Sequence, residues 1–338
     1  MAYIKLNRNN FVNNLDTITT KVGDKNKIAL VLKDNAYGHG IELIASLACD
    51  YGITKVVVRC NVEAQIVKEY FDEILILADN PTELNTFIYA INSLEQLRDM
   101  KHGTRVELKV DSGMHRNGID YSELEEAYLL INEKGLALKG IFTHHCCADT
   151  LSSDFFTQEQ IFKQIKQRTH MLNEKYNLVN IRYHSLNSAG LFRRSNFEED
   201  DLVRVGIAAY GCLEMDKTLE QPNLKPVLSL YASKNSTRKL KSSLRLGYGG
   251  IFSSKENTVI SNYDLGYADG LLRSASNNYT TPSGAKLLGR ISMDNTTFES
   301  SKNELLIFNN ASSYASSAGT IAYEVLTSLK HYIKRDFI

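Results

Sequence analysis

Eight short apolar runs, at 28–33, 55–59, 73–77, 87–91, 105–110, 138–144, 181–185 and 202–208, recur through the first two thirds of the chain. Runs such as IALVL and KVVV show no polar alternation, as strands buried on both faces of a parallel sheet do not. Most intervals between them, at 63–70, 93–100, 121–134 and 157–176, carry apolar residues at three- and four-residue spacing and read as helices. Strand and helix in regular alternation leave two architectures, a closed (β/α)8 barrel of the TIM type and a doubly wound open sheet. The residues with chemical potential follow the ends of many different runs instead of gathering at one switch point, which favours the barrel. Ahead of it, YIKLN at 3–7 alternates as a strand, and Asn9 or Asn10 can cap a helix through Phe11, Leu15 and Ile18.

After Gly211 the pattern changes. PVLSLYASK, NTVISNYDLGY, AKLLGRISMD and ELLIF are short β-rich runs separated by Ser, Asn and Gly clusters, the signature of a smaller, mainly β domain. The serine-rich patches 274–278 and 312–317 read as surface loops. The tail 322–333 reads as a helix with Val325, Leu326, Leu329, Tyr332 and Ile333 on one stripe. The chain of 338 residues is long enough for both domains, divided as 8–222 and 223–338, with residues 1–7 adding a strand to the second.

Charge and cysteine content narrow the function. Lys plus Arg and Asp plus Glu both number 39, so no basic field is available for nucleic acid or an acidic membrane surface, and a small-molecule partner is expected. The five cysteines, Cys49, Cys60, Cys146, Cys147 and Cys212, are odd in number and lack C-x-x-C spacing, which argues against a disulfide framework or a zinc site. No run approaches the roughly 18 apolar residues of a spanning helix, and MAYIKLNRNN has no apolar leader, so a cytoplasmic protein is expected.

The stretch IALVLKDNAYGHG delivers Lys33 from a buried strand into a glycine-punctuated turn. Reactive groups of α/β barrels sit where strands end, and a lysine held there can act as a nucleophile. Tyr37 offers a hydroxyl, and Gly38 and Gly40 bracket His39 ahead of a helix beginning near Ile41. KDNAYGHG resembles the pyridoxal-phosphate lysine segment of the alanine racemases, K-A-N-A-Y-G-H-G, with Asp34 as the departure. Further segments keep the family's order. ELKVDSGMHRNGI resembles K-x-D-T-G-M-x-R-x-G, FTHHCCAD resembles T-H-F, and HSLNSAG and VRVGIAAYG resemble N-S-A and R-x-G-I-x-x-Y-G. RLGYGGIF, where Gly247 precedes Tyr248, resembles S-Y-G, and LGYADG, GRISMDN and TIAYEV follow, with Ser292 where the family often has cysteine.

The resemblance implies a racemase that uses pyridoxal 5'-phosphate to interconvert L- and D-alanine, supplying D-alanine for peptidoglycan. It implies that Lys33 carries the cofactor and moves the α-proton on the D side, while Tyr248 moves it on the L side. Tyr37, Ser188, Tyr323 and the backbone amides of Gly206 and Ile207 would hold the phosphate, His144 would lie beside the cofactor ring, and Arg204 would face the pyridine nitrogen. Because a guanidinium keeps its proton, Arg204 would leave the ring a weaker electron sink than a carboxylate would. Arg116 and the backbone of Met293 would meet the substrate, supported by Lys109, which the family often carbamylates, and by Tyr267, Arg290 and Asp294. The family further implies a homodimer in which the β domain of one copy covers the barrel mouth of the other.

No metal is expected. Neighbouring residues on a strand face opposite ways, so at most two of His144, His145, Cys146 and Cys147 could share an ion. The cysteine pair is a departure that the family pattern does not explain. A decarboxylase of the same fold would carry a glycine-rich phosphate loop, which is not found, and a non-catalytic cofactor carrier would lack the second domain. A serine or broad-specificity racemase stays open, since pocket size is not written in motifs.

Overall fold

The computed structural model describes residues 2–82, 86–194 and 200–338. Eight parallel strands form the barrel: β2 (Ile28–Val31), β3 (Lys55–Val58), β4 (Glu73–Ile76), β5 (Ile88–Ile91), β6 (Arg105–Lys109), β7 (Ala137–Phe142), β8 (Arg182–His184) and β9 (Val203–Val205). Their order around the sheet is β8-β7-β6-β5-β4-β3-β2-β9. Each coincides with one of the eight apolar runs, trimmed at one or both ends, except that β7 starts one residue earlier, at Ala137. Across the seam between β8 and β9, Asp201 N donates to Tyr183 O at 2.8 Å and Arg204 N to Leu186 O at 3.0 Å. All four residues of β2 are buried, as a strand covered on both faces requires.

The remaining strands build a second sheet. It holds β1 (Tyr3–Leu6), β10 (Leu228–Leu240), β13 (Thr258–Asp264), β14 (Asn295–Phe298), β15 (Glu304–Phe308) and β16 (Lys334–Phe337). A two-residue pair, β11 (Arg245–Leu246) and β12 (Phe252–Ser253), flanks the turn that carries Tyr248. The first strand of the chain, β1, lies between β10, antiparallel, and β16, parallel.

The helix Arg8–Val22 buries Phe11, Leu15, Ile18 and Val22 on one stripe, and each fully buried side chain of this size contributes roughly 1.5–3 kcal/mol. Its cap is Asn7, not Asn9 or Asn10: the Asn7 side chain accepts from Asn10 N at 2.9 Å. From the middle of this helix the buried Asn14 donates to Lys225 O at 2.8 Å and accepts from Lys225 N at 2.7 Å, clasping the chain just before it enters β10.

Three readings of the C-terminal part are corrected. The serine-rich patch 312–317 lies within a helix, Ala311–Ala318, capped by Asn310, with Ala311, Tyr314 and Ala315 buried at helical spacing. Its serines face outward, which made the segment look like a loop. The tail is helical only over Ala322–Ser328, after which Lys330 N donates to Asp269 O at 3.1 Å and the chain joins the sheet as β16. AKLLGRISMD is not a strand: Leu287, Leu288 and Ile291 are buried, but the backbone carbonyls of Ser292 and Met293 accept from Tyr267 N and Ala268 N in a neighbouring loop. No helix among the described residues is long and apolar enough to cross a membrane.

Candidate active site

A cavity of about 530 Å³ opens at the C-terminal ends of the barrel strands. It is lined by Lys33, Tyr37, Lys109, Arg116, His144, Ser188, Arg204, Gly206, Ile207 and Tyr323, ten of the residues singled out above, with Asp34 and Arg59. Strand register explains the convergence, since in a parallel barrel all C-terminal edges face one way and residues distant in sequence meet there.

After β2 the chain does something unusual. Asp34, Asn35, Ala36 and Tyr37 all have φ between 51 and 57°, a full turn of left-handed helix. Such a conformation costs roughly 1–2 kcal/mol per ordinary L-residue, so neighbouring groups must hold it. Asn35 accepts from Ile41 N at 2.9 Å, and buried His39 donates from Nδ1 to the carbonyls of Tyr37 and Ala36 at 2.9 and 3.1 Å. Tyr210 packs against both the Tyr37 and His39 rings and donates to Val31 O at 2.9 Å. Gly38 is also required here: its φ is +74°, and a Cβ would lie 2.0 Å from Leu326 O. Asp34 suits this turn, because aspartate tolerates left-handed φ better than alanine. Its carboxylate reaches Arg59 at 3.3 Å and Lys33 Nζ at 3.8 Å. The Lys33 side chain is 37 % exposed, so it stays partly solvated in the cavity.

Opposite, Tyr37 and Tyr323 rings stand 5.9 Å apart, while Ser188 Oγ accepts from the amides of Gly206 and Ala208 at 3.1 and 3.3 Å. A Cβ on Gly206 would lie 2.4 Å from the Tyr37 hydroxyl, so only glycine leaves this cradle open. Phenols, a hydroxyl and backbone amides are neutral donors suited to a phosphate, and they line the same cavity as the amine of Lys33. The donor set therefore fits pyridoxal phosphate.

Beneath the cavity, buried Arg204 donates to His184 Nδ1 at 2.5 Å and to Thr143 O at 2.7 Å. A guanidinium only donates, so His184 Nδ1 must accept, and its proton sits on Nε2, which donates to Glu107 at 2.9 Å. Glu107 also accepts from Arg182 at 2.6 Å, and Arg182 in turn reaches Glu73 at 2.8 Å. Burial lowers Arg204 to about 10, below the usual range of a guanidinium, yet it remains a cation at neutral pH. Burial likewise holds His184 neutral against the pull of Glu107. His184, Glu107 and Arg182 were not singled out from the sequence. Their one legible signal was an acid, a base and a histidine inside strands that a barrel buries, which costs free energy unless they are paired.

Lys109 is held down to about 8, first by burial and then by the cations of Arg116 and Arg204. An appreciable minority of molecules then carry a neutral amine at neutral pH, the form that combines with carbon dioxide. Arg116 rides on a loop organised by Asp111, whose carboxylate accepts from the amides of Gly113, Met114 and His115 at 2.9–3.1 Å. His144 is kept neutral by burial and by Arg204.

Tyr248 is not in this cavity. It is 68 % exposed on the β domain, where it lines a separate depression with Tyr267, Arg273, Ile291 and Met293. Arg290 reaches the same turn, within 4 Å of where a Cβ on Gly249 would stand, and Asp294 is exposed next to Met293. Among the described residues, no group of three or more His, Cys, Asp or Glu is arranged to hold a metal ion.

Two buried histidines set an acid limit on the fold. His39 and His145 are each held down to about 4, foremost by burial. Both titrate near 6.5 in an unfolded chain. Below that pH the unfolded chain takes up protons that the fold refuses, so stability is full above about 6.5 and falls as pH drops toward 4, by up to about 3 kcal/mol for each histidine. Glu107 acts in a lower window. Burial pushes it up, but His184 and Arg182 outweigh this and bring it to about 2, so its contribution is present above about 4.5 and lost toward 2. Urea unfolding at several pH values between 7.5 and 5 (roughly the window set by these groups) should show the decline, and His145→Leu should flatten it. An unchanged slope in that variant would reject this role for His145.

Residues 6–214 match the family model described as alanine racemase, N-terminal domain, and residues 227–337 that of the C-terminal domain. The chain is 45 % identical to the alanine racemase of a Nitratiruptor species and 43 % identical to that of Campylobacter curvus, covering 100 % of both chains in each case. Among solved structures, alanine racemase from Bartonella henselae with covalently bound pyridoxal phosphate is similar at a TM-score of 0.84 and 26 % identity, over 100 % of this chain and 99 % of that one.

Proposed function

Since the chain belongs to the alanine racemases, pyridoxal-phosphate enzymes that interconvert L- and D-alanine, we propose that Lys33 and Tyr248 are its opposed proton-transfer groups and that two copies of the chain complete each active site. Supply of D-alanine for peptidoglycan is what membership of the family implies. When bound, the cofactor supplies an aldehyde that captures an amine and a ring that spreads the charge left when the α-proton departs.

The remaining work falls to the chain's own residues. Tyr37, Ser188, Tyr323 and the amides of Gly206 and Ile207 hold the phosphate, and neutral His144 packs beside the ring. Arg204, held in place by its bonds to His184 and Thr143 O, would face the pyridine nitrogen and keep its proton, as a guanidinium does. Arg116 takes the substrate carboxylate, positioned by Lys109 and by the Asp111 loop, and the backbone of Met293 meets the substrate from the second copy. With the cofactor and alanine bound, Lys33 would move the proton on the D face and Tyr248 on the L face. We set the boundary between barrel and β domain at 222/223, between the end of β9 and the start of β10.

The observation that carries the reading is the separation of the two bases, with Lys33 lining the cavity and Tyr248 exposed on another surface. Tyr267, Arg290, Met293 and Asp294 belong to that surface, and this reading brings them to the barrel mouth of a second copy. Mixing Lys33→Ala and Tyr248→Phe subunits tests this. Each variant alone is inactive, but a mixed dimer holds one intact site and one doubly damaged site. With random pairing about half the dimers are mixed, so roughly a quarter of the parent activity should return. No recovery, with subunit exchange verified by mass, would assign Tyr248 to its own chain.

A further inference from the structure

The loop after β7 carries Cys146 and Cys147 as free thiols, with their sulfurs 3.3 Å apart. Cys146 is exposed and Cys147 half-buried. The loop is pinned on both sides. Gln158 Oε1 accepts from Cys146 N at 2.9 Å and from its Sγ at 3.2 Å, while Arg193 donates to Cys147 O at 2.8 Å. From its other end Gln158 donates to His144 O at 3.2 Å and Ser112 Oγ at 3.3 Å. One side chain thus ties the cysteine pair to the histidine that lines the cavity.

We propose that Cys146 and Cys147 form a reversible redox site, closed to a disulfide between adjacent residues by a low-molecular-weight disulfide, and that closure displaces His144 through Gln158. The Cys146 thiol donates to Gln158 Oε1 at 3.2 Å, a bond that favours its protonated form, so the first attack falls to Cys147. The Cys147 thiolate attacks one sulfur of the reagent, whose S–S bond breaks and releases one thiol. Cys146 then gives up its proton and attacks Cys147 Sγ, expelling the second thiol. Two protein thiols are oxidised, and one small disulfide is reduced to two thiols.

Adjacent Cα atoms lie about 3.8 Å apart across a trans peptide, shorter than the usual disulfide span of roughly 4.4–6.8 Å. Closure therefore strains the peptide unit, and a strained disulfide is readily reduced again. The strained peptide runs from Cys146 C to Cys147 N, and closure removes the hydrogen that Cys146 Sγ donates to Gln158 Oε1, so the hold of Gln158 on the loop changes at a ring atom. The pairing chemistry is independent of the racemase reading, whereas its effect on His144 rests on that reading.

The test treats the holoenzyme with glutathione disulfide, then quenches, unfolds, alkylates and maps it. The expected peptide over Cys146 and Cys147 lacks two hydrogens and takes no alkyl group, while Cys49, Cys60 and Cys212 are alkylated. A dithiol reductant should reverse this. Racemisation and cofactor retention should fall together by about tenfold, less than the roughly 10²-fold that a 1 Å misplacement can cost. Cys147→Ser and Cys146→Ser should keep the parent activity and lose the response. A mixed disulfide that never closes, or two alkylated thiols, would overturn the redox site. A closed ring with unchanged activity and cofactor retention would overturn the coupling to His144.

Discussion

Replacing Lys33 with alanine should lower racemisation by more than about 10³-fold, because it removes both the amine that captures the cofactor and the base of one face. No neighbour can substitute. Lys109, the other lysine of the cavity, is fixed at the end of β6 between the fields of Arg116 and Arg204, while Lys33 follows β2 at the head of the left-handed turn. The phosphate cradle is built from other residues, so the variant should still bind pyridoxal phosphate, but only reversibly. Borohydride reduction of the loaded parent protein should fix a pyridoxyl group on the peptide containing Lys33, and the same treatment of the variant should fix none. A pyridoxyl group on Lys109 in the parent would overturn the assignment of the turn as the centre of the site.

Tyr248→Phe should separate the two faces. Exchange of the α-proton with solvent should fall by about 10²–10⁴-fold for L-alanine, the range for losing one positioned acid or base, and far less for D-alanine, where Lys33 is intact. Within its own subunit the phenol is exposed on a surface turn, so losing the hydroxyl disturbs no packing there, and folding and cofactor retention should match the parent. That makes the comparison a test of proton transfer alone. Equal losses with both enantiomers would reject a scheme with one base on each face.

Much of the barrel was legible because its strands are buried on both faces, and burial writes itself as unbroken apolar runs. The β domain was read less well, and for a related reason. The helix Ala311–Ala318 shows its serines to water and hides only Ala311, Tyr314 and Ala315, and the tail after Ser328 is drawn into the sheet by pairing with β1, at the opposite end of the chain. Local pattern carries no record of a partner so distant.

The site divides in the same way. Lys33, Tyr37 and Gly206 could be named because a strand end, a turn or a close approach favours particular residues there, while His144 and Arg204 were legible only through the resemblance of their segments to the family. What tertiary structure alone decided is the state of those groups. The left-handed turn from Asp34 to Tyr37 exists because His39, Tyr210 and the Leu326 carbonyl close around it, and the tautomer of His184 follows from an arginine and a glutamate brought together from β9 and β6. Sequence by itself determined which residues are present and the periodicity that buries them. The fold determined which charges face each other at hydrogen-bonding distance, and that sets protonation, because the field of a neighbouring charge depends on a separation in space that no spacing along the chain records.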